Sequence, residues 1–166
     1  MSMSISTASR LLSALRAFFD EEEWAYTPLA ERPVLKLGYA GKTGNWTCYA
    51  QVRELDEQVL FYSICPLTVG PAKRLAVAEF LTRANYGLVI GNFEMDLEDG
   101  EIRYKTSLDA ESTELTSDMI RNAVYANVLM MDKYLPGVLS ILGGNVPPKQ
   151  AIDEIEAEDR PDLSKS

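Results

Sequence analysis

Histidine is absent from this 166-residue chain. That removes the commonest general base, the usual metal ligand and the side chain that titrates near neutral pH. A Ser-His-Asp or Cys-His triad cannot be assembled. Cysteine is scarce: Cys48 and Cys65 stand alone with no CxxC spacing, so the chain has neither a disulfide framework nor a zinc site. Basic runs are missing. Arg10, Arg16, Lys36, Lys42, Arg53, Arg103 and Lys105 are scattered through a chain of net charge −9 and pI about 4.6. Nucleic acid and anionic membrane surfaces would both be repelled, so neither is expected as a partner. No stretch approaches the ~18 apolar residues of a membrane span. The opening "MSMSISTASRLLSALRAFFDEEEW" lacks a basic n-region, and Arg16 interrupts its apolar stretch. It reads as a helix rather than a signal peptide, which makes the cytoplasm the expected compartment.

The residues that are present spell a single α+β domain. Leu11, Leu15 and Phe18 fall at i, i+4 and i+7, widened by Leu12 and Phe19, which predicts a helix over 6–22. Three strands follow at 34–40, 45–54 and 58–65, joined by the short loops "GKTG" and "ELDE". Gly70-Pro71 opens a second helix, with Leu75, Ala78 and Leu81 on one stripe and Val77, Phe80 and Ala84 beside it. A hairpin comes next, and then a helix from Ser117 to Tyr134, capped by Thr116 or Ser117 and ended or kinked at Pro136. Asn127 lies near its apolar stripe and needs a buried partner. The expected fold is thus an antiparallel sheet of about five strands with helices packed on it, in the order α-β-β-β-α-β-β-α. One domain spans 1–146. The acidic, core-poor tail 147–166 is expected to hold a loosely docked helix and then disorder.

The hairpin "NFEMDLEDGEIRYKTSL" has the clearest pattern. A two-residue type I′ turn at Asp99-Gly100 would set Leu97 against Ile102, Met95 against Tyr104 and Phe93 against Thr106. On its other face Asp96 would meet Arg103 and Glu94 would meet Lys105. One apolar and one charged face describe a half-buried sheet edge rather than a carboxylate site.

Several motifs imitate chemistry. "GYAGKTG" resembles a phosphate-binding loop, but the pattern needs a glycine where Lys36 stands, and a strand rather than a helix follows. A glycine-rich hairpin turn is the better reading. No GxSxG, HExxH, calcium loop or GxGxxG occurs. With a four-residue loop at Leu55-Gln58, the second and third strands would pair Val52 with Phe61, Ala50 with Ser63 and Cys48 with Cys65. Those thiols would then be shielded and structural rather than a redox switch. Asp20–Glu23 and the carboxylates of "EMDLED" fit a solvated face better than a cation site. No catalytic, cofactor-binding or metal-binding residue is assigned, and an enzyme is not expected. What stands out is apolar sheet surface. The third strand is apolar on both faces, and Tyr49, Leu60, Tyr62 and Ile64 point away from the proposed core side. They are the candidate partner or dimer surface, the alternative being that the tail or the N-terminal segment covers them.

The order of elements and their signatures also carry a resemblance. "FYSICPLTVGPAKRLAVAEFLTRANY", "GNFEMD", "DGEIRYKTSL" and "MDKYLPG", with "GNWTCYAQV" upstream, resemble the YbjN family of bacterial proteins over roughly 24–142. The resemblance implies a fold like that of the type III secretion chaperones, an antiparallel sheet with packed helices, often dimeric. It also implies a role in sensory transduction regulation, with no defined biochemical activity and no catalytic residues to transfer. The functional expectation is therefore a non-enzymatic partner-binding, chaperone-like or regulatory module, homodimeric and without cofactor. A domain sensing a small ligand is the alternative.

Overall fold

A computed structural model describes residues 4–159, with side chains from Arg10 onward. Helix α1 (Ser4–Glu21) leads into strands β1 (Tyr26–Pro28), β2 (Val34–Ala40), β3 (Asn45–Arg53) and β4 (Gln58–Ile64). Helix α2 (Arg74–Asn85) follows a single 3₁₀ turn begun by Pro71. Strands β5 (Asn92–Met95) and β6 (Ile102–Asp109) form the hairpin, and helices α3 (Ser117–Gly144) and α4 (Pro148–Glu156) close the chain. The strands make one antiparallel sheet of six, in the order β1-β2-β3-β4-β6-β5. One strand more than expected is present. β1 is three residues long and mostly exposed, too short to leave an alternating pattern.

The period-two pattern decides which side chains meet the helices. Leu35, Cys48, Ala50, Phe61 and Tyr104 are almost wholly buried on one face of the sheet. Against them lie Leu11, Leu15, Phe18 and Phe19 of α1 and Ile120, Val124, Val128 and Met131 of α3, the stripes read from the sequence. Helix α1 packs on β3 and α3, α3 on β4 and β6, and α2 beside β5. Asn127 is fully buried in α3. Its Nδ2 donates to the carbonyls of Phe61 (2.8 Å) and Tyr104 (3.1 Å), stitching the helix to β4 and β6, while its Oδ1 meets no donor among the described residues. In α2 the buried stripe is Val77, Phe80, Leu81 and Ala84; Leu75, expected inside, is 80% exposed.

Both hairpin registers differ from expectation by two residues, a shift that keeps every side chain on its face. In β3–β4, Val52 pairs with Val59 and Cys48 with Ser63, so the two cysteines are not partners. The loop is Glu54–Glu57, with Glu57 in the left-handed region at φ 50° and Arg53 ion-paired to Asp56 at 2.7 Å. Ser63 is thereby set where its Oγ accepts the Trp46 indole N–H at 3.0 Å. In β5–β6, Met95 pairs with Ile102, Phe93 with Tyr104 and Glu94 with Arg103. Asp96–Glu101 form the loop instead of a two-residue turn. The Asp96 carboxylate accepts the Glu98 N–H (2.8 Å) and that of Asp99 accepts the Glu101 N–H (2.9 Å). These aspartate side chains give the backbone an alternative to ladder pairing. Leu97 consequently faces outward, 56% exposed, and Asp96 does not meet Arg103.

Helix α3 runs through Pro136 without ending, where a stop or kink was expected. A proline cannot donate to the carbonyl four residues back, here Asp132. The Thr43 hydroxyl lies 2.7 Å from that carbonyl and 2.7 Å from Asp132 Oδ1, its single proton serving one at a time. The chain beyond Pro147 carries a helix, as expected, but one that is docked. Ala151 and Ile152 of α4 are buried against α2 and α3. Gly137 makes room, since a Cβ there would sit 2.2 Å from the Phe80 ring and 2.8 Å from Ile155 Cδ1. The disorder expected at the far end of the tail falls on 160–166, outside the described residues.

Candidate functional site

The helices in contact with the sheet pack on the side that carries the core, and among the described residues no helix packs on the opposite face. Across its middle runs one row of directly paired residues: Lys36 beside Tyr49, Tyr49 beside Tyr62, and Tyr62 beside Lys105. One row away Gln51 pairs with Leu60 and Leu60 with Ser107; on the other side Ile64 pairs with Arg103. All four residues singled out from the sequence, Tyr49, Leu60, Tyr62 and Ile64, therefore lie together on this face. Each is half-buried, shielded by its neighbours and not by the core cluster, to which none of them belongs.

The rim is electrostatically organised. The Arg103 guanidinium stacks over the Tyr62 ring at 4.5 Å, a cation–π contact that fixes the plane of the ring. Its Nε donates to Glu94 Oε2 at 2.6 Å, and the Lys105 ammonium donates to the other oxygen of the same carboxylate. Partial burial pushes the Glu94 carboxyl up, but the bonds from Lys105 and Arg103 outweigh it and hold Glu94 below the usual carboxylate range. Lys36 makes no ion pair among the described residues. Sequence reasoning put Arg103, Lys105 and Glu94 on a charged strand face. It missed that β4 lies next to β6, which brings those charges beside Tyr62. Parity was the available signal; strand order was not.

The edge strands are short, β5 with four residues and β1 with three. On β5 the Asn85 side chain takes the place of a neighbouring strand: its Oδ1 accepts the Phe93 N–H at 2.7 Å and its Nδ2 donates to the Phe93 carbonyl at 3.0 Å. The opposite edge is the short β1, which ends in Pro28. Short, proline-bearing or covered edges resist strand addition.

Elsewhere the structure offers little chemistry. Cys48 and Cys65 are free and buried, and burial pushes their thiols up to about 12 and about 11, away from a reactive thiolate. Among the described residues no group of His, Cys, Asp or Glu side chains is placed to hold a metal ion, and no helix is long and apolar enough to cross a membrane. An open groove of about 600 Å³ lies between the β2–β3 loop, α3 and α4, lined by Lys42, Asp132, Gly137 and Glu154 among others. Its buried carboxylate is already occupied. Asp132 accepts the backbone N–H groups of Lys42 (2.9 Å) and Thr43 (2.8 Å).

One antiparallel sheet with helices packed on its core side is an α+β fold of the kind the sequence predicts. The comparisons with known proteins agree. The YbjN family, described as "Putative bacterial sensory transduction regulator", matches residues 11–140, and the chain belongs to that family. Among solved structures it is similar to one titled "Crystal structure of YbjN, a putative transcription regulator from E. coli", with 16% identity, a TM-score of 0.57, and coverage of 74% of this chain and 89% of that one. It is also similar to a chain of the HopA1–SchA chaperone–effector complex, with 12% identity, a TM-score of 0.53, and coverage of 76% and 93%. At such identities these likenesses establish the fold alone. No curated protein sequence matches the chain.

Proposed function

We propose that this chain is a non-enzymatic, chaperone-like or regulatory module that holds a protein partner on the open face of its sheet, with Tyr49, Leu60, Tyr62 and Ile64 as the apolar centre. The observation that carries this reading is the face itself. A directly paired tyrosine couple flanked by leucine and isoleucine is left uncovered by any helix among the described residues. Aromatic anchors inside a polar rim are what concentrate binding energy in protein interfaces. The family description and the chaperone–effector complex among the structural neighbours support the same direction.

The proposal extends to a homodimer. Stacking two open faces would bring like-charged rows together, so a second copy is better suited by the rim around α2 and β5. There Leu75, Tyr86, Val89 and Leu97 are each more than half exposed. A small-ligand sensor is the second reading, favoured by the groove of about 600 Å³ beside α4.

The double variant Tyr49→Ala/Tyr62→Ala tests the main reading. Recovery of co-purifying proteins should fall at least several-fold, while the thermal melt moves little because neither ring belongs to the core. Unchanged recovery, or a melt lowered in proportion to the lost capture, would remove the face as the binding surface.

A further inference from the structure

The open face differs in charge from the rest of the molecule. Its paired strand positions hold Lys36, Arg53, Arg103 and Lys105 against Glu94 and Asp109, a local surplus of two positive charges in a chain of net charge −9, while Asp96 and Glu101 of the β5–β6 loop line a cavity beside Arg103. Arg53 already has Asp56, and Arg103 and Lys105 share the single carboxylate of Glu94. The charge with no ion pair among the described residues therefore sits on Lys36, at one end of the tyrosine row, and the Arg103–Lys105 pair, two cations on one carboxylate, stands at the other. Lys36 and Lys105 are three strand spacings apart, about 14 Å at ~4.8 Å per spacing.

We propose that the segment this face takes is acidic: a stretch of a partner protein that sets an apolar or aromatic side chain on the Tyr49–Tyr62 couple and carboxylates toward Lys36 and toward Arg103–Lys105. This rests on the reading of the face as a partner surface and adds the chemistry of what it takes. Two other occupants fit less well. A second copy stacked face to face would oppose lysine row to lysine row. A single-stranded nucleic acid could stack on the tyrosines, but a polyanion many phosphates long would run off the face onto a strongly acidic surface. A short acidic peptide keeps its charges on the cationic row. Complementary charge of this kind selects the partner and speeds encounter more than it adds affinity.

The test is selection of a random-peptide display library on the immobilised full chain, with each enriched peptide then measured in solution by fluorescence anisotropy. The variants are Tyr62→Ala, Lys36→Gln and Lys36→Glu, each checked by thermal melt, with a twelve-residue oligothymidylate as competitor. The expected result is enrichment of Asp and Glu around an apolar residue and loss of binding with Tyr62→Ala. Lys36→Gln should weaken binding roughly two- to fivefold, as for an exposed ion pair, and Lys36→Glu on the order of tenfold. Affinity should also fall with added salt. Peptides that need Tyr62 but are neutral or basic, or that ignore both Lys36 variants, would overturn the acidic assignment and leave the partner surface standing. Oligothymidylate that displaces the peptides and binds the face more tightly would overturn it in favour of nucleic acid. Peptides indifferent to Tyr62, or no enrichment at all, would overturn this inference and the binding face together.

Discussion

Asp132 shows how a deceptive sequence motif resolves at the level of single atoms. The loop "GKTG" does present backbone N–H groups to an anion, as a phosphate-binding loop would, but the anion is internal. Gly41 has no side chain because a Cβ there would lie 2.6 Å from Asp132 Oδ1. Lys36 and the strand that follows the loop were enough to set nucleotide binding aside. Nothing local could show that the loop's ligand is a carboxylate about ninety residues away, because that contact depends on how α3 lies on the sheet. Burial raises the Asp132 carboxyl, and the bonds from Thr43 and Lys42 outweigh this and lower it below its ordinary 3.8. A carboxylate whose folded pKa is depressed contributes stability above its unfolded pKa, and that contribution is lost as pH falls through the folded value. Asp132→Ala should destabilise by about 1–3 kcal/mol, since it leaves the part-buried Lys42 and Thr43 N–H groups without their acceptor and the Thr43–Pro136 arrangement without its anchor. Asp132→Asn should flatten the loss of stability seen when urea unfolding at pH 7 is compared with unfolding near pH 3. An Asn variant with the wild-type pH slope would show that the carboxylate is not what the loop holds.

Among the elements, the hairpins separate what a pattern can specify from what it cannot. Side-chain parity assigned the faces of β3, β4, β5 and β6, because burying one face leaves only that choice. Loop length was not legible. The aspartates in "EMDLEDG" can either flank a two-residue turn or bond their own backbone, and the second wins once Gly100 is drawn against the segment before α2. There the Val69 N–H donates to the Gly100 carbonyl at 3.0 Å. Gly100 has φ +80°, and a Cβ on it would stand 2.0 Å from the Val69 carbonyl oxygen. Gly100→Val should therefore cost more than about 3 kcal/mol, through backbone strain and a collision with main chain that cannot retreat. Asp96→Ala should cost only about 0.5–1.5 kcal/mol, the loss of one exposed turn hydrogen bond. Urea midpoints of the two variants measured side by side decide the matter, and equal losses would contradict the contact with Val69. The long helix teaches a related point. Pro136 looked like a terminus because the residue that satisfies the freed carbonyl, Thr43, comes from a distant hairpin.

For the whole molecule, composition and periodicity were sufficient for the class: an α+β chain, a helix, three strands, a helix, a hairpin and a long helix, in that order. The YbjN resemblance was carried by turn and sheet signals such as "RANY", whose Asn85 proves to seal the β5 edge. Two things were out of reach. The short β1 leaves no periodic trace, and the docking of α4 depends on the space beside Gly137 that Phe80 and Ile155 fill. The candidate surface was half legible. Parity placed Tyr49, Leu60, Tyr62 and Ile64 outward, but only the adjacency of β4 to β6 reveals the cationic frame around them. The central claim is that this open face, not the helical side, meets the partner. The most direct test replaces Tyr62 with a photo-crosslinking phenylalanine analogue in the full chain, with the same analogue at the exposed helical Leu139 as control, followed by irradiation in cells. The account predicts a discrete cross-linked protein product from position 62 and none from 139. Products from position 139 alone, or the same products from both, would contradict it.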